Sequence, residues 1–188
     1  MEAAALKDHR KKASDLSLGL SHGVIYERAL ELLQALRTQG SHLDYGAGQG
    51  VLLARIAQRF SFDRLQGVDL MEAPGGLDEN IQWQASDLNK NLPLTNEQFD
   101  SITAIEVIEH LENPRHVMRE LCRLLKPGGY ALLSTPNNES WRSLISYWLR
   151  GHFVAFTDSS YPAHITALNR KDLARSARES GFSVEAWH

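Results

Sequence analysis

The sequence predicts an α/β fold, doubly wound, with a mostly parallel sheet and helices on both faces. Strand-like and helix-like apolar patterns alternate along most of the chain, and the run Leu43-Asp44-Tyr45-Gly46-Ala47-Gly48-Gln49-Gly50 joins the first strand signal to a helix signal. Asp69 then stands roughly twenty positions beyond that loop, near the end of a second apolar run, Leu65 to Leu70. Gly46, Gly48 and Gly50 leave a loop almost without side chains, so a ligand is expected to lie against its backbone N–H groups. The acidic residue falls where such folds hold ribose hydroxyls.

Taken in order, Ala29, Leu30, Leu32, Leu33 and Leu36 mark an amphipathic helix over Tyr26–Leu36, ended by Gly40. Strands are expected at 42–46, 65–70, 81–86, 100–107 and 129–135. Between them come a helix at 50–60, an irregular connection at 71–80 and a helix at 114–126. The last has Asn113 as N-cap, Pro114 at its first position and Pro127-Gly128-Gly129 to close it. A final helix at 169–180 starts at Asn169, stops at Gly181 and leads into a last strand, Phe182 to Trp187. Segment 136–168 is different in kind: Trp141, Tyr147, Trp148, Phe153, Phe156 and Tyr161 crowd together with Arg142, Arg150, His152 and His164 between them. It emerges beyond the carboxyl end of the fifth strand, where α/β sheets bind ligands, and is either a substrate lid or a packing layer.

Composition sets the outer limits. The 188 residues, 43% hydrophobic and 23% charged, suit one soluble domain with a substantial core. A net charge of −3 gives no general attraction to nucleic acid or anionic membrane, and the basic stretch Lys7 to Lys12 reads as a solvated arm. The division expected is an N-terminal arm, 1–24, and one domain, 25–188. Cys122, the single cysteine, excludes an intrachain disulfide and reads as a buried structural thiol. No apolar run reaches a membrane span and no signal-peptide pattern opens the chain, so no membrane insertion and a cytoplasmic location are expected.

The glycine spacing narrows the ligand. A dinucleotide fingerprint requires glycine where the chain has Val51, which disfavours a nicotinamide-dependent oxidoreductase. Asp44, just before the loop, sits poorly beside a pyrophosphate and well beside an ammonium group. A nucleoside with a charged amino-acid tail fits both features.

Five motifs in order carry a resemblance. They are Asp44 to Gly50, Gly67-Val68-Asp69-Leu70, Ser86-Asp87-Leu88, Glu106-Val107-Ile108-Glu109-His110-Leu111 and Leu124-Leu125-Lys126-Pro127-Gly128-Gly129. Over roughly 25–188 the chain resembles the class I S-adenosylmethionine-dependent methyltransferases, a Rossmann-like family, and within them those of the ubiquinone-biosynthesis O-methyltransferase type. The resemblance implies S-adenosylmethionine as cofactor. Gly46, Ala47, Gly48 and Gly50 would pass under its methionine part, and Asp44 would order the loop or meet the ammonium through water. Asp69, with Leu70 beside it, would accept from both ribose hydroxyls, Asp87 and Leu88 would hold the adenine, and Glu106 would line the methyl-donor face. The family sheet has seven strands, the last inserted antiparallel between the fifth and sixth. The sequence stops at His188, after the sixth strand signal, so the expected sheet lacks its last strand and has an unpaired edge.

The reading that follows is methyl transfer to an oxygen or nitrogen of a small-molecule acceptor, without nucleic acid. His110 is the expected general base, with Glu109 orienting or replacing it. The Glu-x-x-Glu-His sequence is also similar to the small-RNA 3′-end 2′-O-methyltransferases, which hold a divalent metal with two glutamates and two histidines. No metal is assigned on this basis, and whether Glu106, Glu109, His110 and His164 bind one stays open. A metal-assisted RNA 3′-end methyltransferase and a catalytically silent cofactor-binding protein are the alternatives.

Overall fold

The computed structural model describes Gly19 and residues 21–188. Most of the expected arm, with Lys7 to Lys12, lies outside the described residues. Helix α1 (Gly23–Ala35) precedes strand β1 (Ser41–Tyr45), α2 (Val51–Arg59), β2 (Arg64–Asp69), β3 (Ile81–Ala85) and β4 (Phe99–Ile105). A single 3₁₀ turn (Ile108–His110), α3 (Pro114–Leu124), β5 (Leu125–Ser134), α4 (Trp141–Arg150) and α5 (Arg170–Glu179) follow. All the strand pairs are parallel, in the order β3-β2-β1-β4-β5. The chain winds outward from β1 to β3 and then crosses to the other side of β1 at β4. The carboxyl ends of β1 and β4 therefore diverge at a topological switch point, where this architecture opens a crevice.

Two apolar layers cover the sheet. On one face Leu30 and Leu33 of α1 and Leu52, Leu53 and Ile56 of α2 are buried. On the other, Val117, Leu121 and Leu124 of α3 pack with Leu43, Tyr45 and Ile102, and Leu173 and Ala177 of α5 join their rim. Asn113 caps α3 by accepting from His116 N at 3.0 Å, with Pro114 at the first position. Asn169 caps α5 by accepting from Asp172 N at 3.2 Å.

The structure departs from the expected elements in three places. Residues 182–188 form no strand. In the seven-stranded sheet the sixth strand pairs only with the seventh, and here no described segment occupies that place. Without a neighbour's hydrogen-bond ladder an alternating pattern cannot become a strand. Phe182 packs on the core and Trp187 lies under the Arg170 guanidinium at 5.9 Å instead. Next, α3 ends at Leu124 and β5 begins at Leu125, earlier than the expected 129, because residues 126–129 bulge. Phe99 pairs with Leu125 but Ser101 with Tyr130, and Gly128 takes φ 81°. Finally, Cys122 is only half-buried, with its sulfur facing Gly181.

Candidate functional site

A cavity of about 740 Å³ opens at the carboxyl ends of β1–β4. Asp44, Gly46, Ala47, Gly48, Asp69, Leu70, Asp87, Leu88, Glu106 and His110, all expected from the sequence, line it. Gly50 and Glu109 do not. Gly50, with φ 71°, serves as the N-cap of α2 and packs toward Pro74 and Leu77.

The loop after β1 does not offer its N–H groups to a ligand, contrary to the expectation. Gly46 N and Ala47 N both donate to Val68 O, Gly48 N to Asp69 Oδ2, Gln49 N to Gly19 O and Gly50 N to Ala47 O. Left-handed backbone at Gly46 and Gly48 (φ 81° and 54°) turns these donors into the protein and presents a surface without side chains to the cavity. A Cβ on Gly46 would strike Val107, and one on Gly48 would strike the backbone of Gly19. The glycines thus permit close approach, and polar recognition falls to the surrounding carboxylates.

Each carboxylate is held by a strand end. Asp69 closes β2; its Oδ2 accepts from Gly48 N at 2.8 Å and its Oδ1 from Met71 N at 3.0 Å. Burial raises its pKa, and these N–H groups oppose the rise. Asp44 in β1 pairs across to Thr103 in β4, whose hydroxyl donates to Asp44 Oδ1 at 2.7 Å. That hydroxyl has one proton, so it accepts from His42 Nε2 at 3.1 Å, and His42 Nδ1 accepts from Ser101 at 2.8 Å. The buried chain Ser101–His42–Thr103 thus fixes Asp44, while burial lowers the His42 pKa to about 3 and keeps the ring neutral. Burial raises the Asp44 pKa to about 7, Thr103 opposing and Asp69 adding to the rise. Asp87 lies on the cavity wall past β3, 3.7 Å from Lys90 Nζ and accepting from Asn89 N at 3.1 Å. Beside it Leu88 O accepts from the Tyr45 hydroxyl at 2.9 Å.

The opposite end of the cavity combines two distant segments. Glu106, just past β4, adopts φ 55°, a left-handed conformation strained for a glutamate. Ser134 of β5 stabilises it, accepting from Glu106 N at 3.0 Å and donating to Glu106 Oε1 at 2.9 Å. The 3₁₀ turn follows, and residues 163–166 are laced to it. Ile165 N and Thr166 N donate to Glu109 O at 2.9 and 3.0 Å, the Thr166 hydroxyl to Leu111 O at 2.8 Å, and His110 Nδ1 to Ala163 O at 2.8 Å. His164 is thereby placed edge-on to His110, with ring centres 4.9 Å apart. Its own Nδ1 donates to Ala155 O at 2.6 Å. A carbonyl can only accept, so both rings carry their proton on Nδ1 and keep the Nε2 lone pair free. Burial lowers the His110 pKa, with nearby His164 also lowering it and the carbonyls of Ala163 and Glu106 pulling the other way.

Glu109 is fully buried, and neither carboxylate oxygen has a hydrogen-bond partner. Thr135 stands close enough to ease its ionisation but makes no well-formed bond to it. Burial, and then the charge of Glu106, push the Glu109 pKa up to about 8. Glu109, His110 and His164 each bring one donor atom to within 4.8 Å of the others. Two imidazoles oriented by backbone carbonyls and one unpartnered carboxylate fit a divalent cation. Sequence reasoning did not find Ser21, His22 and Ile25, which also line the cavity, as do Tyr161, Pro162 and Ile165 of the aromatic segment 136–168. The first three close it from the start of α1, with Ser21 N donating to the Tyr26 hydroxyl at 2.8 Å. A polar pair ahead of a helix was the only sign of them.

Comparison with known proteins identifies the site's family: a match to a methyltransferase domain covers residues 21–186. The chain belongs to the class I S-adenosylmethionine-dependent methyltransferases. It is 38% identical over 106 residues to the ubiquinone biosynthesis O-methyltransferase of Pseudomonas entomophila, covering 50% of this chain and 44% of that protein. With the enzyme of the same name from Pseudomonas aeruginosa strain UCBPP-PA14 it shares 36% over 154 residues, covering 76% and 64%. The chain spans about half to two thirds of the length of these relatives. Among solved structures, an S-adenosylmethionine-dependent methyltransferase of Archaeoglobus fulgidus superposes with TM-score 0.66 at 20% identity, covering 89% of this chain and 72% of that one. The [4+2]-cyclase SpnF superposes with TM-score 0.63 at 20% identity, covering 86% and 58%. These two likenesses speak for the fold alone. As a methyltransferase of this class the chain takes S-adenosylmethionine as its cofactor.

Proposed function

We propose that this methyltransferase transfers the sulfonium methyl of S-adenosylmethionine to an oxygen of a small-molecule acceptor. The nucleoside would lie along Asp69, Asp87 and Leu88, with the methionine part crossing Gly46 to Gly48 toward Asp44. The methyl group would then point toward Glu106 and the two histidines. The acceptor oxygen attacks the methyl carbon as the carbon–sulfur bond breaks, S-adenosylhomocysteine leaves, and the oxygen's proton passes to the Nε2 lone pair of His110. The sulfonium is already an electrophile, so the protein's part is alignment and removal of that proton. The observation that carries this reading is the His110–His164 pair, its two Nε2 atoms free and both residues lining the cavity that holds Asp69. Its relatives named O-methyltransferases support oxygen as the acceptor atom.

The cluster of three donors favours one extension of this reading. Glu109, His110 and His164 would hold a divalent cation, which when bound lowers the pKa of a coordinated hydroxyl and orients it. Glu109 would supply charge, its carbonyl would keep residues 163–166 in place, and His110 and His164 would give up their role as bases. An RNA acceptor is disfavoured, because among the described residues the charged side chains lining the cavity include Asp44, Asp69, Asp87, Glu106 and Glu112 but no lysine or arginine.

Transfer of tritiated methyl to a panel of hydroxylated small molecules, with and without Mg²⁺ or Mn²⁺, tests both statements. Turnover that chelator abolishes supports the cation, and metal-independent turnover lost in His110→Ala supports the imidazole base. Binding of S-adenosylmethionine with no transfer to any acceptor would instead mark a silent cofactor-binding protein.

A further inference from the structure

His42 stands inside the sheet at a position an apolar residue would ordinarily fill. It lies in β1 beside Ser101 of β4, as Asp44 lies beside Thr103. Alternate residues of a strand share a face, so the four side chains meet on one side of the sheet. His42, Ser101 and Thr103 are fully buried, Asp44 is nearly so, and the Phe62 ring covers the imidazole at 5.0 Å. Three polar side chains in an apolar layer are costly unless each satisfies the next. Here each does: Ser101 donates to His42 Nδ1 at 2.8 Å, His42 Nε2 to Thr103 Oγ1 at 3.1 Å, and Thr103 to Asp44 Oδ1 at 2.7 Å.

The chain of bonds has a direction and an end. Thr103 has one hydroxyl proton, and while His42 donates to its oxygen that proton is held on Asp44. Oδ1 is thereby occupied, whereas among the described residues no hydrogen bond is made to Oδ2 of this cavity-lining carboxylate. The charge facing Asp44 is that of Asp69 at the end of β2, which opposes a second anion beside it, and the Thr103 proton counters that opposition. Neither His42 nor Thr103 lines the cavity, so whatever they do for a ligand passes through Asp44.

We propose that His42 is a positioning residue for cofactor selection: through Thr103 it fixes Asp44 with Oδ2 left for an ammonium group, so that the site favours ligands bearing the methionine tail over the bare nucleoside. This rests on the placement of the methionine part against Asp44 given above. The imidazole acts as a neutral, one-way link. Its Nε2–H supplies the bond that Thr103 needs in order to donate onward, and Ser101 fixes the tautomer by donating to Nδ1.

Calorimetric titration from pH 6 to 8.5 with two ligands tests it: S-adenosylhomocysteine, and 5′-methylthioadenosine, which has the nucleoside and the sulfur but no amino-acid tail. Thr103→Val keeps the shape of the side chain and removes the link. It should lower affinity for S-adenosylhomocysteine about fivefold at pH 7 and leave that for methylthioadenosine within about twofold. The pH at which S-adenosylhomocysteine binding strengthens should move upward by about one pH unit. His42→Leu should do the same, while His42→Gln, whose amide can accept from Ser101 and donate to Thr103, should restore the wild-type profile. If His42→Leu does not fold, Thr103→Val decides alone. A merely structural role would weaken both ligands equally without moving the pH profile, and that result overturns the proposal. Asp44→Asn separates the two readings. If it lowers the preference for S-adenosylhomocysteine while Thr103→Val does not, the proposal alone falls. If it leaves the preference unchanged, the placement of the methionine tail falls and the proposal with it.

Discussion

At one end of the cavity, Asp44, Asp69 and Asp87 come from successive strand ends within one continuous stretch of sequence. At the other, His110 bonds to Ala163, a residue 53 positions away, so that His164 can face it. The two ends also differ in how well their polar groups are satisfied. Asp69 has an N–H on each oxygen and Asp44 is braced by a buried hydroxyl chain, whereas Glu109 has no partner on either oxygen and Glu106 sits in strained backbone. A fully bonded cradle is preorganised for a fixed ligand. An unsatisfied, strained cluster is costly until something binds there, which is how a site adaptable to chemistry is held in place by its surroundings.

The largest effect should come from the strained end. Replacing both His110 and His164 by Ala removes the free lone pairs, and turnover with an identified acceptor should fall by about 10²- to 10⁴-fold. Affinity for S-adenosylhomocysteine in that variant should stay within about threefold, since neither ring braces the cradle. Next in size is Asp69→Ala. It removes charge-assisted bonds of about 1.5–3 kcal/mol each and leaves Gly48 N and Met71 N without an acceptor, so cofactor affinity should drop by about 100-fold in calorimetry.

Glu109→Met is expected to do the opposite to stability. A buried polar group without partners costs about 1–3 kcal/mol, so the substitution should raise unfolding free energy by that order while abolishing any cation binding. The gain has a pH signature. Glu109's folded pKa is raised from 4.5 to about 8, so its own contribution to stability is most favourable below 4.5 and is lost as pH rises toward 8. Denaturant melts at pH 5 and pH 8.5 should therefore show the larger gain for the variant at the higher pH.

The smallest effect concerns Asp44. Its pKa is raised from 3.8 to about 7, and an ammonium group nearby favours its ionised form. Cofactor affinity should then rise a fewfold as pH passes about 7, with proton release in titrations run in buffers of different ionisation heat. Asp44→Asn should flatten that dependence.

The contrast between the ends also explains what the sequence revealed. Gly46, Gly48, Asp69 and Asp87 could be placed because each stands at a strand end, and the parallel sheet then brings these ends together whatever else the chain does. His110 and Glu109 were visible as residues, but that Glu109 turns inward and His164 meets His110 depends on the lacing of 109–111 to 163–166. That pairing is long-range and leaves no periodic signal. Ser21 and His22 were missed for the same reason, since only the fold carries the start of α1 over the glycine loop. The last strand failed because an alternating pattern, Phe182 to Trp187, records a preference and supplies no neighbour.

Titration of S-adenosylhomocysteine into the wild type, Asp69→Ala and the His110→Ala, His164→Ala double variant tests most directly whether the two ends are separable. The double variant should bind within about threefold of wild type and Asp69→Ala about 100-fold more weakly. Equal losses in both variants, or a larger loss in the double variant, would contradict a cofactor cradle built independently of the histidine cluster.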